Sequence, residues 1–438
     1  MPTTEDQRRL RQADVLDVVE AAGFPTTAPD GDALGIEAEW FPIRRHPGGS
    51  RRILLRERDG VEDLLAAASV PTDVRLQFEP GAQVEVATVP HANVADAIAS
   101  LDLAAGALGR AAAEQQIVLV AAGIDLWHPR LPPQQATQPR YPAMASYLAA
   151  RGPAGATMMR HTASLQLNVD LGRGDVAAER WTVSMLAAPL SLATFAASPD
   201  VAGTTVSRRG HNWRAVDPTR TGIPPAFVTE PGWTPAQQLA HAAVNADVML
   251  FLGADGTATP GTPGWTFGDW IGQGHPTHGW PTASDLRYHL TTLFHEVRPR
   301  GWLELRSLDA LPPRWREPAV VLHAGLLLDA RARQRVLEIL EPQRPSLPVL
   351  LRRAAERGVA DPSLCALAVE TWSFALDGAR RMEGVLPPGA IGRTEQFIDE
   401  FTLRGRCPAD ALRDALRRDP GAAMALVTEP AQHVPSMA

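Results

Sequence analysis

The sequence predicts an α+β fold: a sheet of half-polar strands with helices packed on its apolar face. Three observations carry this prediction. Segments spread through the first three hundred residues alternate apolar side chains with Glu, Gln, Asn or Arg; the stretch from Val94 to Ala112 steps its apolar residues by four and three; and from about residue 315 the chain turns helical and Ala/Leu/Arg-rich.

In order along the chain, residues 4–22 read as an amphipathic helix, with Thr4 and Gln7 at capping-box spacing and a stop at Gly23 and Pro25. The first strand follows in LGIEAEWFPI, residues 34–43, which places Ile36, Ala38 and Trp40 on one face and Glu37 and Glu39 on the other. RLQFEPGAQVEVAT reads as two short strands around a Pro80-Gly81 turn, with Leu76, Phe78, Val84 and Val86 apolar and Glu79 and Glu85 of opposite parity. After the helix of Val94, Ile98, Leu101, Ala105, Leu108 and Ala112, QIVLVAAGIDLW returns as a strand. ASLQLNVDL, residues 163–171, sets Leu165, Leu167 and Val169 against Ser164, Gln166, Asn168 and Asp170. A helix near 178–197 leads to a polar, aromatic loop, SRRGHNWRAVDPTRTG, and a Gly/Pro/Trp-rich stretch over 253–281. In the strand GWLELR, Glu304 and Arg306 share a face with Trp302. Asp361-Pro362 and Cys407-Pro408 mark helix starts, and the last twenty residues read as poorly ordered. No repeat or low-complexity linker divides the chain, so residues 1–438 are expected to form one catalytic domain with a mostly helical C-terminal part.

Composition narrows the function. With 438 residues, 45% of them hydrophobic, the chain can bury a large core, and its net charge of -7 offers no basic field for nucleic acid or an anionic membrane. All 42 basic residues are Arg, which removes a Walker A loop and lysine Schiff-base chemistry. A nucleotide site here would work through metal and arginine. The two cysteines, Cys365 and Cys407, read as buried thiols rather than as a disulfide or zinc pattern. The charged N-terminus is unlike a signal peptide and no stretch has the length of a membrane span, so a cytoplasmic monomer is expected.

Burying only the apolar side of these strands leaves a concave polar sheet. Glu37, Glu39, Glu79, Glu85 and Glu304 on one surface would repel each other unless cations sat among them, and hard carboxylate oxygens suit Mg²⁺ or Mn²⁺. Any one of these residues reads equally as part of a solvated sheet face. The clean Glu-x-Glu pattern inside apolar sequence favours the set as a site, and from spacing alone it fits phosphoryl transfer, metal-assisted hydrolysis or plain ion binding.

The blocks GIEAEWFPI, FEPGAQVEVAT, RYPAMASYLAARGPAGATMMRHTASLQLNVDLG, SRRGHNWRAVDPTRTG, TFGDWI and HLTTLFHEVRPRGWLELRSLDA run in order over roughly residues 30–330. Together they resemble the type 2 glutamate-cysteine ligases of plants and bacteria, and most of all the actinobacterial ergothioneine-pathway branch. The resemblance implies a fold like glutamine synthetase: a curved, mainly antiparallel sheet with helices packed on its convex face and ATP, metal and amino acid on the concave one. It implies Glu37, Glu39, Glu79, Glu85 and Glu304 around metal and Arg306 with Glu304 in catalysis. Gln166 and Asn168 fall on the nucleotide or metal-bound water, and Arg209 and Arg220 on substrate carboxylate or phosphate. Trp213 would wall the pocket, and His161 would touch phosphate or substrate, although each reads equally as a packing or structural residue.

The implied reaction phosphorylates the glutamate γ-carboxylate with ATP and lets the cysteine amine attack the acyl phosphate. Where plant relatives carry Arg-Thr-Cys, this chain has His161-Thr162-Ala163, which argues against thiol-based redox control. Alternatives are the same mechanism with another amine or acid, a metal-dependent hydrolase, and a non-catalytic binder. His275 and His278 read as incidental loop residues, and His289 and His295 as residues of one helix on different faces.

Overall fold

A computed structural model of the chain describes residues 8–28, 31–46, 49–54, 63, 65, 68–253 and 255–430. Its centre is an eight-stranded sheet in which the long strand β1 (Leu34–His46) is shared by everything else. The first half of β1 pairs with β4 (Val84–Thr88) and β6 (Ser164–Asp170); its second half pairs with β2 (Gly49–Arg52) and β5 (Ile117–Val120). Beyond β4 lies β3 (Val74–Phe78). Four short segments, β7 (Thr221–Gly222) with β10 (Phe294–His295) and β8 (Leu250–Leu252) with β9 (Ala258–Pro260), pair outside the sheet. On the far edge, β11 (Val297–Pro299) forms a hairpin with β12 (Trp302–Asp309), which pairs with β6. Every pairing in the large sheet is antiparallel.

The alternation sorts the faces as expected. Leu34, Ile36, Ala38, Trp40, Val84, Val86, Leu165, Leu167, Val169, Leu303 and Leu305 are buried on one side. The helices Val94–Ala113, Asp175–Thr194 and Pro313–Leu328 cover that side. Asn93 starts the first of them by accepting the backbone N–H of Ala95, and its buried stripe includes Val94, Ile98, Leu101, Leu108 and Ala112. The helix Asp175–Thr194 is buried almost all round, as a helix sandwiched between sheet and outer helices must be. One hydrophobic cluster runs without a break from the sheet into the C-terminal helices, so the two parts share a core.

Several expectations need correction. The first helix is only Val15–Gly23, after a 3-10 turn at Gln12–Asp14. Arg9 instead pairs with Thr282, and buried Leu10 donates its N–H to Pro281 O, so tertiary pairing overrides helical periodicity there. The proposed cap at Thr4 and Gln7 lies outside the described residues. The strand from Ile117 ends at Val120, because Ala121 and Gly123 turn their N–H groups to Val427 and Ala197. The loop after Ser207 contains the helix Arg208–Arg214, for which Ser207 Oγ accepts Gly210 N–H. The Gly/Pro/Trp-rich stretch contains the helix Phe267–Gln273, started by a Thr266/Asp269 capping box. His289 ends a helix whereas His295 lies in β10; both are buried and bonded to backbone carbonyls. Of the two thiols, Cys407 is buried and Cys365 half-buried.

Of the last twenty residues, 431–438 lie outside the described residues, and 419–430 depart most from expectation. The helix Pro420–Leu426 and a bridge from Thr428 to Val120 carry the chain back to the sheet edge. There Glu429 is buried, accepting from Trp40 Nε1 at 2.9 Å and from Arg316 Nη1 and Nη2 at 3.0 and 3.1 Å. A charge that has a buried partner more than a hundred residues away leaves no local signal. Among the described residues, no helix is long and apolar enough to cross a membrane.

Candidate active site

The register of the sheet aligns its polar side chains in rows across the strands. Arg298, Glu304 and Asn168 stand side by side on β11, β12 and β6. Next to them Glu37 lies between Gln166 on β6 and Ala87 on β4, and one step further Glu39 faces Glu85, which faces Gln77. Side chains directly opposite in antiparallel strands have Cβ atoms about 5 Å apart, so Glu39 and Glu85 are set against each other by the backbone itself. Glu79 enters from the turn before β4. Glu79 N–H donates to Gln83 O, and Gly81 packs so closely on Arg160 that a Cβ there would collide with its carbonyl. These rows floor a cleft of about 550 Å³.

The carboxylates divide into two electrostatic kinds. Glu304 is buried and held by Arg298 Nη2 at 2.9 Å and by Arg306 Nη1. Burial alone would raise its pKa, but Arg306 and then Arg298 outweigh it and hold the carboxyl down at about 2. The other group lacks such partners. Burial, then the charge of Glu79, raises Glu39 to about 7, even though Ser164 donates to both of its oxygens. Glu85 is pushed well above the usual range by burial and then by Glu79, Glu39 and Glu37. Burial is also the main cause of the upward shifts at Glu37 and Glu79. Glu79 and Glu85 share a hydrogen bond, which two ionised carboxylates cannot form. This corner of the cleft carries excess negative charge.

Opposite it, arginines gather around Trp213. The guanidinium carbons of Arg209 and Arg306 each lie 5.3 Å from the centre of the Trp213 ring, whose Nε1 donates to Phe294 O at 2.9 Å. Arg306 sits where β12 has one residue too many: Leu305 pairs with Leu167 and Leu308 with Leu165. This bulge turns Arg306 into the cleft, a role bulges commonly serve. Its backbone is fixed on both sides, by Arg306 N–H to Glu296 O at 3.0 Å and by Arg209 Nη2 to Arg306 O at 2.9 Å. Among the described residues, Gln166 Oε1 and Arg306 Nε are buried without a hydrogen-bond partner, so one acceptor and one donor remain for a ligand.

The structure therefore brings Glu37, Glu39, Glu79, Glu85, Gln166, Arg209, Trp213 and Arg306 to one cleft. Glu304 lies beneath it with its oxygens engaged by arginine, so it orients Arg306 rather than offering open oxygens to a metal. Asn168 is likewise occupied: Nδ2 donates to Glu37 Oε1 at 2.9 Å and Oδ1 accepts from Trp302 Nε1 at 2.8 Å.

Two expected residues are not in the cleft. Arg220 is fully buried, with Nε on Asp217 at 2.8 Å, Nη1 on Thr292 O at 2.9 Å and Nη2 on Asp247 O; no donor group is left for a substrate. His161 is buried with Nε2 donating to Asp125 O at 3.0 Å, and burial lowers its pKa to about 4, so it is a neutral structural histidine. Arg298, Ser164 and Arg140, also at the cleft, were missed. The hairpin signal VRPRGW, with its Gly301 turn, pairs Arg298 with Glu304 and could have revealed the first.

Among the described residues, no group of three or more His, Cys, Asp or Glu side chains is arranged to hold a metal ion. In chemistry and charge, however, the Glu37, Glu39, Glu79 and Glu85 set fits a hard divalent cation, which would offset the burial and mutual repulsion that shift these carboxyls upward.

Fold and site together define a class: an α+β protein that presents carboxylates and guanidiniums across one concave cleft to a small, highly charged ligand. The chain belongs to glutamate-cysteine ligase family 2, which it matches over residues 33–429. It is 33% identical over 354 residues to the glutamate–cysteine ligase EgtA of Mycolicibacterium smegmatis, covering 79% of this chain and 78% of that protein. To EgtA of Mycobacterium tuberculosis it is 34% identical over 348 residues, with coverages of 77% and 76%. The chloroplastic glutamate–cysteine ligase of Arabidopsis thaliana is 26% identical over 349 residues, 77% of this chain and 65% of that one. A crystal structure of a glutamate–cysteine ligase from Francisella tularensis in complex with AMP has the same fold, with a TM-score of 0.52 at 12% identity over 91% of this chain and 88% of that chain. The curved antiparallel sheet of the glutamine synthetase type, with helices on one face, is the fold observed.

Proposed function

We propose that this chain joins the γ-carboxylate of glutamate to the α-amine of cysteine, consuming ATP and forming γ-glutamyl phosphate on the way. The observation that carries this reading is the opposition, within one cleft, of a carboxylate row without ion-pair partners among the described residues and an arginine pair, Arg209 and Arg306, packed on the Trp213 ring. That arrangement suits phosphoryl transfer, in which charge migrates between oxygens and no covalent enzyme nucleophile is needed.

Glu37, Glu39, Glu79 and Glu85 would hold Mg²⁺, with Mn²⁺ an alternative, which would supply charge neutralisation for the phosphates of ATP. Arg306, held by Glu304 and Trp213, faces the transferring phosphoryl group with its free Nε–H. Arg209 adds a second fixed positive charge. Gln166 offers its unpaired carbonyl to a donor on the bound amino acid or nucleotide. The floor of the cleft keeps the acyl phosphate among fixed dipoles until the amine attacks its carbonyl carbon and phosphate leaves.

The whole chain acts as one catalytic domain, a reading supported by the core shared between sheet and C-terminal helices. It is a cytoplasmic monomer, and the resemblance of its motifs to the ergothioneine-pathway branch supports entry of the product into ergothioneine biosynthesis. The test is ADP release by purified protein with Mg²⁺, ATP and glutamate, with and without cysteine and a panel of other amines, with products followed by mass. Cysteine-dependent release with γ-glutamylcysteine formed is the expected result. Release with a different amine alone replaces the acceptor, and no ATP use with any pairing overturns the reading.

A further inference from the structure

On the other side of the Glu79–Gln83 turn, outside the cleft, Ser50 lines up with Asp125 and His128, which lie more than seventy residues further along the chain. Ser50 Oγ on β2 lies 3.2 Å from His128 Nε2, and His128 Nδ1 lies 3.1 Å from both oxygens of Asp125. The Asp125 side chain is 1% exposed and accepts further bonds from the backbone N–H groups of Trp127 and His128, each at 3.0 Å. A carboxylate so fixed holds the imidazole with its proton on Nδ1, leaving Nε2 to accept from the serine hydroxyl.

Arg52 completes the group. Being two residues from Ser50 on the same strand, it projects to the same side of β2. Its Nη1 reaches Asp125 at 3.3 Å and its Nη2 reaches Gly81 O at 2.6 Å, while its buried Nε has no hydrogen-bond partner among the described residues. Beside the group opens a cavity of about 390 Å³, bounded by His128, Arg52 and Arg130, with Leu54, Trp127 and Leu131 among its apolar walls. The ligase reading uses none of these residues.

We propose that Ser50, His128 and Asp125 form a second, hydrolytic site that cleaves carboxylic esters carrying a small apolar acyl group. Ser50 Oγ attacks the ester carbonyl carbon as His128 Nε2 takes its proton, and the Arg52 Nε–H receives the negative charge that develops on the carbonyl oxygen. The C–O bond to the alcohol breaks, the alkoxide takes the proton from His128, and the acyl group remains on Ser50. Water then gives a proton to His128 and its oxygen attacks the acyl carbon; the carboxylic acid leaves and the proton returns to Ser50. No metal, nucleotide or redox partner takes part.

The test uses the full-length protein with 4-nitrophenyl butyrate, without ATP or divalent cation, and a fluorophosphonate probe whose adduct is located by peptide mass mapping. The expected results are hydrolysis above background, a fluorophosphonate adduct on Ser50, and a loss of at least ~100-fold in hydrolysis for Ser50→Ala and for His128→Gln. Ser50→Ala should retain the ADP release of the parent protein. The adduct on Ser50 needs no variant, so a folding defect cannot imitate it. Absence of an adduct at Ser50, or equal hydrolysis by Ser50→Ala, overturns the proposal.

Discussion

The carboxylate row makes a quantitative prediction at Glu39. Its carboxyl is raised from 4.5 to about 7, chiefly by burial and then by Glu79. At roughly 1.4 kcal/mol per pKa unit this corresponds to a cost of about 3 kcal/mol for ionising it in the fold. Below pH 4.5 both folded and unfolded carboxyls are protonated and there is no cost. Between 4.5 and 7 the unfolded chain ionises first, so stability falls as pH rises; above 7 the full cost persists. Glu39→Gln removes the charge but gives up one of the two acceptors that Ser164 uses, a loss of about 1 kcal/mol. The variant should therefore be about 1 kcal/mol less stable than the parent at pH 4, nearly equal to it at pH 5, and about 2 kcal/mol more stable at pH 8. Urea unfolding in EDTA across that range measures the crossover, and Mg²⁺ at pH 8 should stabilise the parent more than the variant. A stability difference independent of pH, or one that grows in the opposite sense, would refute the electrostatic account of the row.

Further outcomes are expected at other positions. Arg306→Ala should fold normally and lose on the order of 10³-fold in turnover, read by ADP release, because a fixed guanidinium at a transferring phosphoryl group has that weight; Glu37→Gln should likewise lose turnover without unfolding. Arg220→Ala should destabilise by about 3 kcal/mol in denaturant titration, since it takes the ion-pair partner at 2.8 Å from buried Asp217 and leaves it Arg151 at 3.6 Å and the hydroxyls of Tyr147 and Thr219, while the KM values of the remaining folded enzyme stay unchanged. Glu429→Ala leaves Arg316 with only the half-exposed Asp102 and strips Trp40 Nε1 of its acceptor; a loss of about 3 kcal/mol is expected from chemical unfolding. Gly81→Ala should displace the Glu79 turn, visible as weaker Mg²⁺ binding by calorimetry, because its Cβ meets Arg160 O.

Much of the sheet was legible because one periodicity governs both sides of it. The alternation in GIEAEWF fixes at once that Trp40 goes into the core and Glu39 into the cleft, and the same holds for LQLNV and LELR. What the pattern could not supply was the use of each polar group. Arg220 and Arg209 look alike in sequence; only the tertiary placement of Asp217, Thr292 and Asp247 reveals that Arg220 spends its donors within the core. Glu304 and Glu39 are both strand glutamates facing one way, yet Arg298 across a hairpin makes the first a permanent anion and its absence leaves the second protonated near neutrality. The bulge at Arg306 and the buried Glu429 depend on pairings with residues far away in the chain, for which local propensity carries no information.

The central claim, that an acyl phosphate forms on the concave face, is tested most directly by isotope transfer. Glutamate labelled with ¹⁸O in its γ-carboxylate is turned over with Mg²⁺, ATP and cysteine, and the released phosphate is analysed by mass. Transfer of one ¹⁸O into phosphate for each γ-glutamylcysteine formed is the predicted result, since the carboxylate oxygen must leave with phosphorus. Phosphate free of ¹⁸O alongside product formation would contradict the account.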